Sequence, residues 1–174
     1  MTTSPMPHPR GYSALRRGRF STPGCLYFLT ICTADRTKAL TYPSVGAAIQ
    51  EEILRMSSQG VWHVRAFTVM PDHVHVLAEL GKSLSLSQAI ARLKAKTKPA
   101  LRAQDARWQE DYFDHRVAAS EPVLPVLLYL YLNPYRKCLV KTSERWPWFY
   151  CSESEWRWFK DHLADGLPEP AWLR

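Results

Sequence analysis

The sequence predicts an α+β fold in which one antiparallel sheet of four strands carries helices on one face. Stretches rich in β-branched and aromatic residues alternate with longer stretches in which apolar residues recur every three or four positions. Two of the strand-like stretches are separated only by turn residues, which indicates a hairpin. With 174 residues, of which 46% are hydrophobic and 22% charged, the chain suits one modest globular domain.

The first elements follow a short arm. Residues 1–18 carry several prolines and basic side chains, so we expect a flexible basic N-terminal arm there. Residues 25–33 form the first predicted strand because β-branched and aromatic side chains dominate them. A helix is predicted from Ser44, a possible N-cap, to about Gln59, and Gly60 follows as a terminator.

A hairpin is predicted next. Residues 61–70 form the second strand and residues 73–80 the third, and Pro71 and Asp72 between them are typical turn residues. A second helix begins after Ser85, with Gln88 at the position that a capping box requires. Residues 108–117 are expected to contain a fourth strand.

A further helix is predicted from Ser120 or a nearby residue. Pro122 and Pro125 are tolerated in its first turns, and the pair Asn133-Pro134 bears on where it ends, because the residue before a proline disfavours helix. The resulting order, βαββαβ with a C-terminal helix, is that of a ferredoxin-like fold. One sheet face is then free for a site or for that helix.

Charge and composition narrow the functional class. The net charge of +7 favours polyanionic partners, nucleic acid first. No apolar run approaches the ~20 residues of a membrane span, and the N-terminus has no apolar signal region, so we expect a cytoplasmic protein with no membrane partner. The four cysteines have no C-x-x-C spacing and are expected to be free thiols.

We divide the chain into the arm at 1–18, a main domain at 19–150 and an aromatic-rich tail at 151–174.

The segment Pro71-Asp-His-Val-His75 holds the first candidate site. Side chains alternate along a strand, so His73 and His75 share one face while Val74 and Val76 point to the other. Two neutral imidazoles on one face can bind a metal ion, although a third ligand must come from elsewhere. The alternative is a pair of half-exposed strand histidines with no ligand.

Tyr129 and Asn133 form the second candidate. At a spacing of four residues they lie on one face of a helix. A tyrosine oxygen can act as a nucleophile, and an amide oxygen is a hard ligand that suits magnesium or manganese better than zinc. The alternative is an amphipathic tyrosine that only reaches toward solvent.

Basic and aromatic side chains form two further groups. Basic side chains beside exposed rings can hold single strands, because the charges follow the phosphates and the rings stack on bases. The candidate DNA-binding residues are Arg16, Arg17, Arg19, Arg92, Lys94, Lys96 and Lys98. For those on the second helix, the alternative is a solvated helix face. The aromatics at 146–150 and 156–159 are expected to cover a core more than to bind bases.

Together these motifs resemble those of the REP-associated tyrosine transposases, relatives of the single-tyrosine HUH transposases. The resemblance runs from about residue 19 to residue 150. It rests on these segments, in this order: Phe28-Leu-Thr-Ile-Cys-Thr33, Val69-Met-Pro-Asp-His-Val-His-Val-Leu77, Tyr112-Phe-Asp-His115, Tyr129-x-x-x-Asn-Pro134 and Trp146-Pro-Trp148. The combination of His-x-His after Met-Pro-Asp with a tyrosine four residues before Asn-Pro is the specific part.

The resemblance implies a nuclease and strand transferase that cuts single-stranded DNA beside hairpins of repeated extragenic palindromes. It implies that His73 and His75 are metal ligands, Asn133 the helix-borne ligand, Tyr129 the nucleophile, and Mg²⁺ or Mn²⁺ the cofactor, with no nucleotide cofactor. A homodimer is possible. Two other functions remain open from the residues: a catalytically silent hairpin-binding protein and a metal-dependent phosphoesterase with a structural tyrosine.

Overall fold

The computed structural model describes residues 21–169, and within them one antiparallel sheet of five strands packs with four α-helices. The strands are β1 (Leu26–Cys32), β2 (Trp62–Val69), β3 (His73–Leu80), β4 (Phe113–Val117) and β5 (Phe149–Cys151). The helices are α1 (Pro43–Ser58), α2 (Leu86–Arg102), α3 (Leu124–Arg136) and α4 (Glu153–Phe159), with short 3₁₀ turns at Ala34–Arg36 and Lys160–His162. The spatial order of the strands is β4-β1-β3-β2-β5. The α+β class and the order βαββαβ are therefore confirmed, and the sheet has one strand more than predicted.

The two sheet faces have different roles. Val74 and Val76 point into a core with α1 and α2, whereas Leu77 points to the opposite face and packs with α3. A β-bulge at Arg65 shifts the register of β2, so that Val64 and Ala66 face opposite cores although they are two residues apart. Helices thus cover both faces, and α3 lies on the face that also carries His73 and His75.

The ends of α1 and α2 test two capping predictions. Ser85 accepts from the backbone N–H of Gln88, and the Gln88 side chain accepts from the backbone N–H of Ser85, so the predicted capping box is confirmed. The prediction that Ser44 caps α1 is wrong. Tyr42 is the N-cap and makes no side-chain cap bond, because Pro43 takes the first turn, where its fixed φ suits a helix.

Helix α3 begins later than the sequence predicts. Residues 118–121 form a turn in which the Glu121 carboxylate accepts from the backbone N–H of Ala118, so Ser120 does not start the helix. The helix starts at Leu124, and Pro125 lies in its first turn. Pro134 does not end it, because α3 continues to Arg136.

The C-terminal part of the described chain completes the second core. Strand β5 pairs with β2 and crosses residue 150, the boundary between the predicted main domain and tail. In α4, the Phe159 side chain is fully buried and packs edge-on against Tyr131. The prediction that these aromatics cover a core is confirmed for Phe159, and the half-buried Trp148, Phe149, Tyr150 and Trp156 also pack against the two cores. No helix within residues 21–169 is long and apolar enough to cross a membrane.

Candidate active site

Strand β3 and its two neighbours build the floor of the site. His75 pairs across the sheet with Thr30 of β1 and with Thr68 of β2. His73 lies two residues before it on the same face, and the two imidazole centroids are 4.5 Å apart. The sheet therefore brings the two predicted histidines together as the sequence pattern requires.

Each histidine is oriented by a neighbour through its Nδ1 atom. The His73 Nδ1 lies 2.6 Å from an Asp72 carboxylate oxygen, and since a carboxylate only accepts, this nitrogen donates. The His75 Nδ1 lies 2.8 Å from the Thr30 hydroxyl. For His73 the proton is therefore on Nδ1, which leaves the Nε2 lone pair for a ligand. Such outer partners commonly fix metal-binding histidines.

Burial keeps both rings neutral. It lowers the pKa of His75 well below the usual value, and the neighbouring His73 lowers that pKa further. Burial also lowers the pKa of His73, although the hydrogen bond to Asp72 opposes the change. Because only the neutral ring has a free lone pair, both side chains are in the form that binds a metal ion.

Helix α3 brings the predicted tyrosine over this floor. The Tyr129 hydroxyl lies 3.4 Å from the Nε2 of His75, a long contact for a hydrogen bond. The Tyr129 ring also meets Phe28 edge-on, with centroids 5.8 Å apart, and Phe28 stacks on His75 at 5.3 Å. The side chain of Tyr129 is 43% exposed, so a substrate can reach it.

Asn133 lies one turn further along α3 and is 6% exposed. Burial raises the pKa of Tyr129, whereas the polar side chain of Asn133 and the nearby Arg136 charge lower that pKa and so oppose the change. The phenol is thus protonated at neutral pH and must lose its proton during any attack.

The residues present fit a divalent metal ion. His73 and His75 offer two neutral nitrogens, and within residues 21–169 no three His, Cys, Asp or Glu side chains lie together as a ready-made site. A third protein ligand must therefore be of another type, and the Asn133 amide oxygen is available beside Tyr129. The buried Thr68 hydroxyl, opposite His75, has no hydrogen-bond partner in the described chain, which is unusual for a finished interior.

The basic residues predicted from sequence do not gather here. Helix α2 packs on the other face of the sheet. There Arg92 pairs with Glu52, and Lys94 donates to three backbone carbonyls near Asp111, while Lys96 and Lys98 are exposed. Arg16, Arg17 and Arg19 lie outside the described residues. Their roles in DNA binding stay predictions.

Other cations do face the centre. Arg36 lies 3.6 Å from the Asp72 carboxylate, and its charge lowers the pKa of both His73 and His75. Lys137, just after α3, lowers the pKa of His73 in the same way. Sequence reasoning missed these two, together with Thr30 and Phe28, because only the strand register and the helix packing bring them to the histidines.

The chain is similar to known transposases in sequence and in fold. A family model described as IS200-like transposase matches residues 21–122, a range that includes both histidines and ends before α3. A Haemophilus influenzae protein named as a REP-associated tyrosine transposase is 24% identical over 141 residues, covering 73% of this chain and 80% of that protein. A solved structure of a REP-associated tyrosine transposase bound to a REP hairpin aligns with a TM-score of 0.62 at 20% identity, covering 83% of this chain and 82% of that one. That structure shares the fold.

Because both histidines are neutral in the folded protein, we expect the free energy of unfolding to depend on pH. The unfolded chain binds protons on His73 and His75 below about pH 6.5, whereas the native state, with its lowered pKa values, binds them only at lower pH. The free energy of unfolding therefore falls as the pH drops from 7.5 to 5.5, by at most about 1.4 kcal/mol per pH unit for each ring. Urea unfolding in a metal-free buffer measures this slope.

Two variants test whether His75 causes this dependence of the unfolding free energy on pH. His75→Gln is expected to flatten it, and His63→Gln, which changes an exposed histidine of β2, is expected to leave it unchanged. A His75→Gln protein that keeps the full slope would contradict the assignment.

Proposed function

The chain belongs to the IS200-like transposase family, and from that premise we propose that it cuts and rejoins single-stranded DNA through Tyr129. Membership of a transposase family makes the protein an enzyme. The observation that carries the finer proposal is the Tyr129 hydroxyl, 3.4 Å from the Nε2 of a neutral, buried His75 and reachable from solvent. A packing tyrosine would not need two oriented histidines beneath its hydroxyl.

In this proposal His73 and His75 would hold Mg²⁺ or Mn²⁺, and Asn133 would contribute its amide oxygen. When bound, the ion supplies positive charge that polarises the scissile phosphate. Asp72 and Thr30 keep the two rings in place through Nδ1. The two imidazoles alone would suit zinc, whereas the amide oxygen and the phosphate oxygens of the substrate favour Mg²⁺ or Mn²⁺.

The covalent step follows from the residues of α3. The phenol oxygen of Tyr129 forms a bond to phosphorus as the bond from phosphorus to the 3′-oxygen breaks. The phenol loses its proton and the departing 3′-oxygen gains one, so the products are a 5′-phosphotyrosine and a free 3′-hydroxyl. The polar side chain of Asn133 and the charge of Arg136 favour the phenolate, since both lower the pKa of Tyr129. Because one phosphoester replaces another, a second 3′-hydroxyl can reverse the step without ATP.

The proposed substrate is single-stranded DNA that carries a REP-type hairpin. Its support is the name of the Haemophilus influenzae relative and the hairpin in the similar structure. The net charge of +7 and the cations at the site, Arg36 and Lys137, suit a polyanion. Cytoplasmic action belongs to the same proposal.

Replacing Tyr129 tests the nucleophile. Tyr129→Phe is expected to abolish the covalent adduct with a labelled hairpin oligonucleotide in Mn²⁺, as seen on a denaturing gel, because it removes only the attacking oxygen. DNA binding is expected to stay within about twofold.

Tyr135→Phe is the matched control. This residue lies six positions further on α3, and its hydroxyl donates to the Glu144 carbonyl at 2.9 Å, away from the histidines. The adduct should persist in it. An adduct formed by Tyr129→Phe would exclude the nucleophile assignment. Strand cleavage without any adduct would indicate a phosphoesterase. Hairpin binding by the wild-type protein without cleavage and without an adduct would indicate a silent binding protein.

Metal removal tests the ligand set. EDTA is expected to lower the rate of adduct formation by at least about a hundredfold, and Mg²⁺ or Mn²⁺ to restore it. His73→Ala and His75→Ala should resist that rescue, whereas the surface variant His63→Ala should behave as the wild type does. An unchanged rate in EDTA would rule out metal dependence.

A further inference from the structure

A cavity of about 320 Å³ lies beside α3, between β5, α4 and the segment near Gly166, and its walls are mainly aromatic. Tyr131, Trp146, Phe149 and Trp156 line it, and Arg145 is the cation in its lining. The volume is at the small end of ligand pockets in proteins, which suits one ring system better than a helix or a strand.

The aromatic walls are held in place by the fold. The Tyr131 hydroxyl donates to the Gly166 carbonyl at 2.7 Å, and the Tyr131 ring meets Phe149 edge-on at 5.2 Å. The Trp146 indole donates to the Val69 carbonyl at 3.1 Å. Although anchored, Trp146, Phe149 and Trp156 remain only half-buried, so ring surface is left for a ligand.

The Arg145 side chain lies against Gly166 at the same cavity, since a Cβ built at Gly166 would be 2.8 Å from a guanidinium nitrogen of Arg145. The φ of +76° at Gly166 is one that side chains rarely allow, so glycine suits this turn. Arg145 is exposed, and it has neither an ion pair nor a hydrogen bond with another residue of 21–169. A cation that has no partner within residues 21–169 and lies beside half-buried aromatic rings matches a nucleotide, in which a flat base is attached to a phosphate.

The cavity lies within reach of a strand bound at Tyr129. Tyr131 is two residues further on α3, and β5 is two strands from β3, roughly 10 Å across the sheet. We propose that this cavity binds one unstacked base of the single-stranded DNA substrate, with Arg145 on the adjoining phosphate. The proposal rests on the proposed function, because it takes DNA as the substrate.

The test compares two probes of equal charge. The twelve-residue thymidine oligonucleotide dT12 carries bases, and an abasic oligonucleotide of the same length carries only the sugar-phosphate backbone. Both Kd values are measured by fluorescence anisotropy at about 0.1 M salt. The Kd of the abasic probe divided by the Kd of dT12 then isolates binding through bases from binding through phosphates. Trp156→Leu is expected to reduce that ratio at least about fivefold, because leucine keeps apolar volume and removes the stacking surface.

Matched variants complete the design. Trp158→Leu makes the same change on α4 at an exposed residue outside the cavity and should keep the wild-type ratio. Arg145→Ala should weaken the binding of both probes and reduce the slope of log Kd against log salt by about one phosphate contact. Arg157 is an exposed α4 arginine paired with Glu153, and Arg157→Ala should change the affinity and the slope less. Phe149→Leu repeats the aromatic test if Trp156→Leu fails to fold.

The outcomes separate this proposal from the function it rests on. Equal ratios for the wild type, Trp156→Leu and Phe149→Leu would overturn the base pocket, while a wild-type adduct with hairpin DNA would still support cleavage by Tyr129. Base-dependent binding that emerges only in a chain ending at Glu169 would also overturn it, and would assign the cavity to residues 170–174 instead.

Discussion

The alternation of side chains along β3 is the constraint on which the site depends. Val74 and Val76 are fully buried against α1 and α2, and this fixes His73 and His75 on the opposite face. A shift of one residue in the pairing would exchange the two sets, placing imidazoles in an apolar core and valines in the site. Because β3 is central in the sheet and bonded on both sides, that shift is strongly opposed. The same burial energy that stabilises the fold therefore positions the two candidate ligands.

Desolvation gives these groups their chemical character. Burial lowers the pKa of both histidines, which leaves neutral rings, and raises the pKa of Tyr129, which leaves a protonated phenol. Without added positive charge the centre is therefore a poor nucleophile. The charge of Arg136 already opposes the raised pKa of Tyr129, and a cation bound at the proposed site would lower that pKa further.

The patterns that depend on near neighbours in the chain were predictable. The shared face of His73 and His75, the Ser85 capping box and the four-residue spacing of Tyr129 and Asn133 all follow from the geometry of a single element. Strand β5 was missed because three residues carry no readable period, and its pairing depends on the distant strand β2. The contacts of Thr30 and Phe28 with His75 were missed because they depend on the pairing of β1 with the distant strand β3. The basic character of α2 was predicted correctly, and the ferredoxin-like order left the other sheet face for a site or the C-terminal helix. The pairing of Arg92 with Glu52 and the bonds of Lys94 to backbone carbonyls depend on packing that no local pattern shows.

The central claim is that one tyrosine oxygen of α3 becomes covalently bound to DNA. The most direct measurement is mass spectrometry of the covalent complex with a hairpin oligonucleotide, after digestion of both the protein and the DNA. The account predicts that the nucleotide remnant is carried by Tyr129 and by no other residue. A remnant on Tyr131, on Tyr135 or on a residue outside α3 would contradict it.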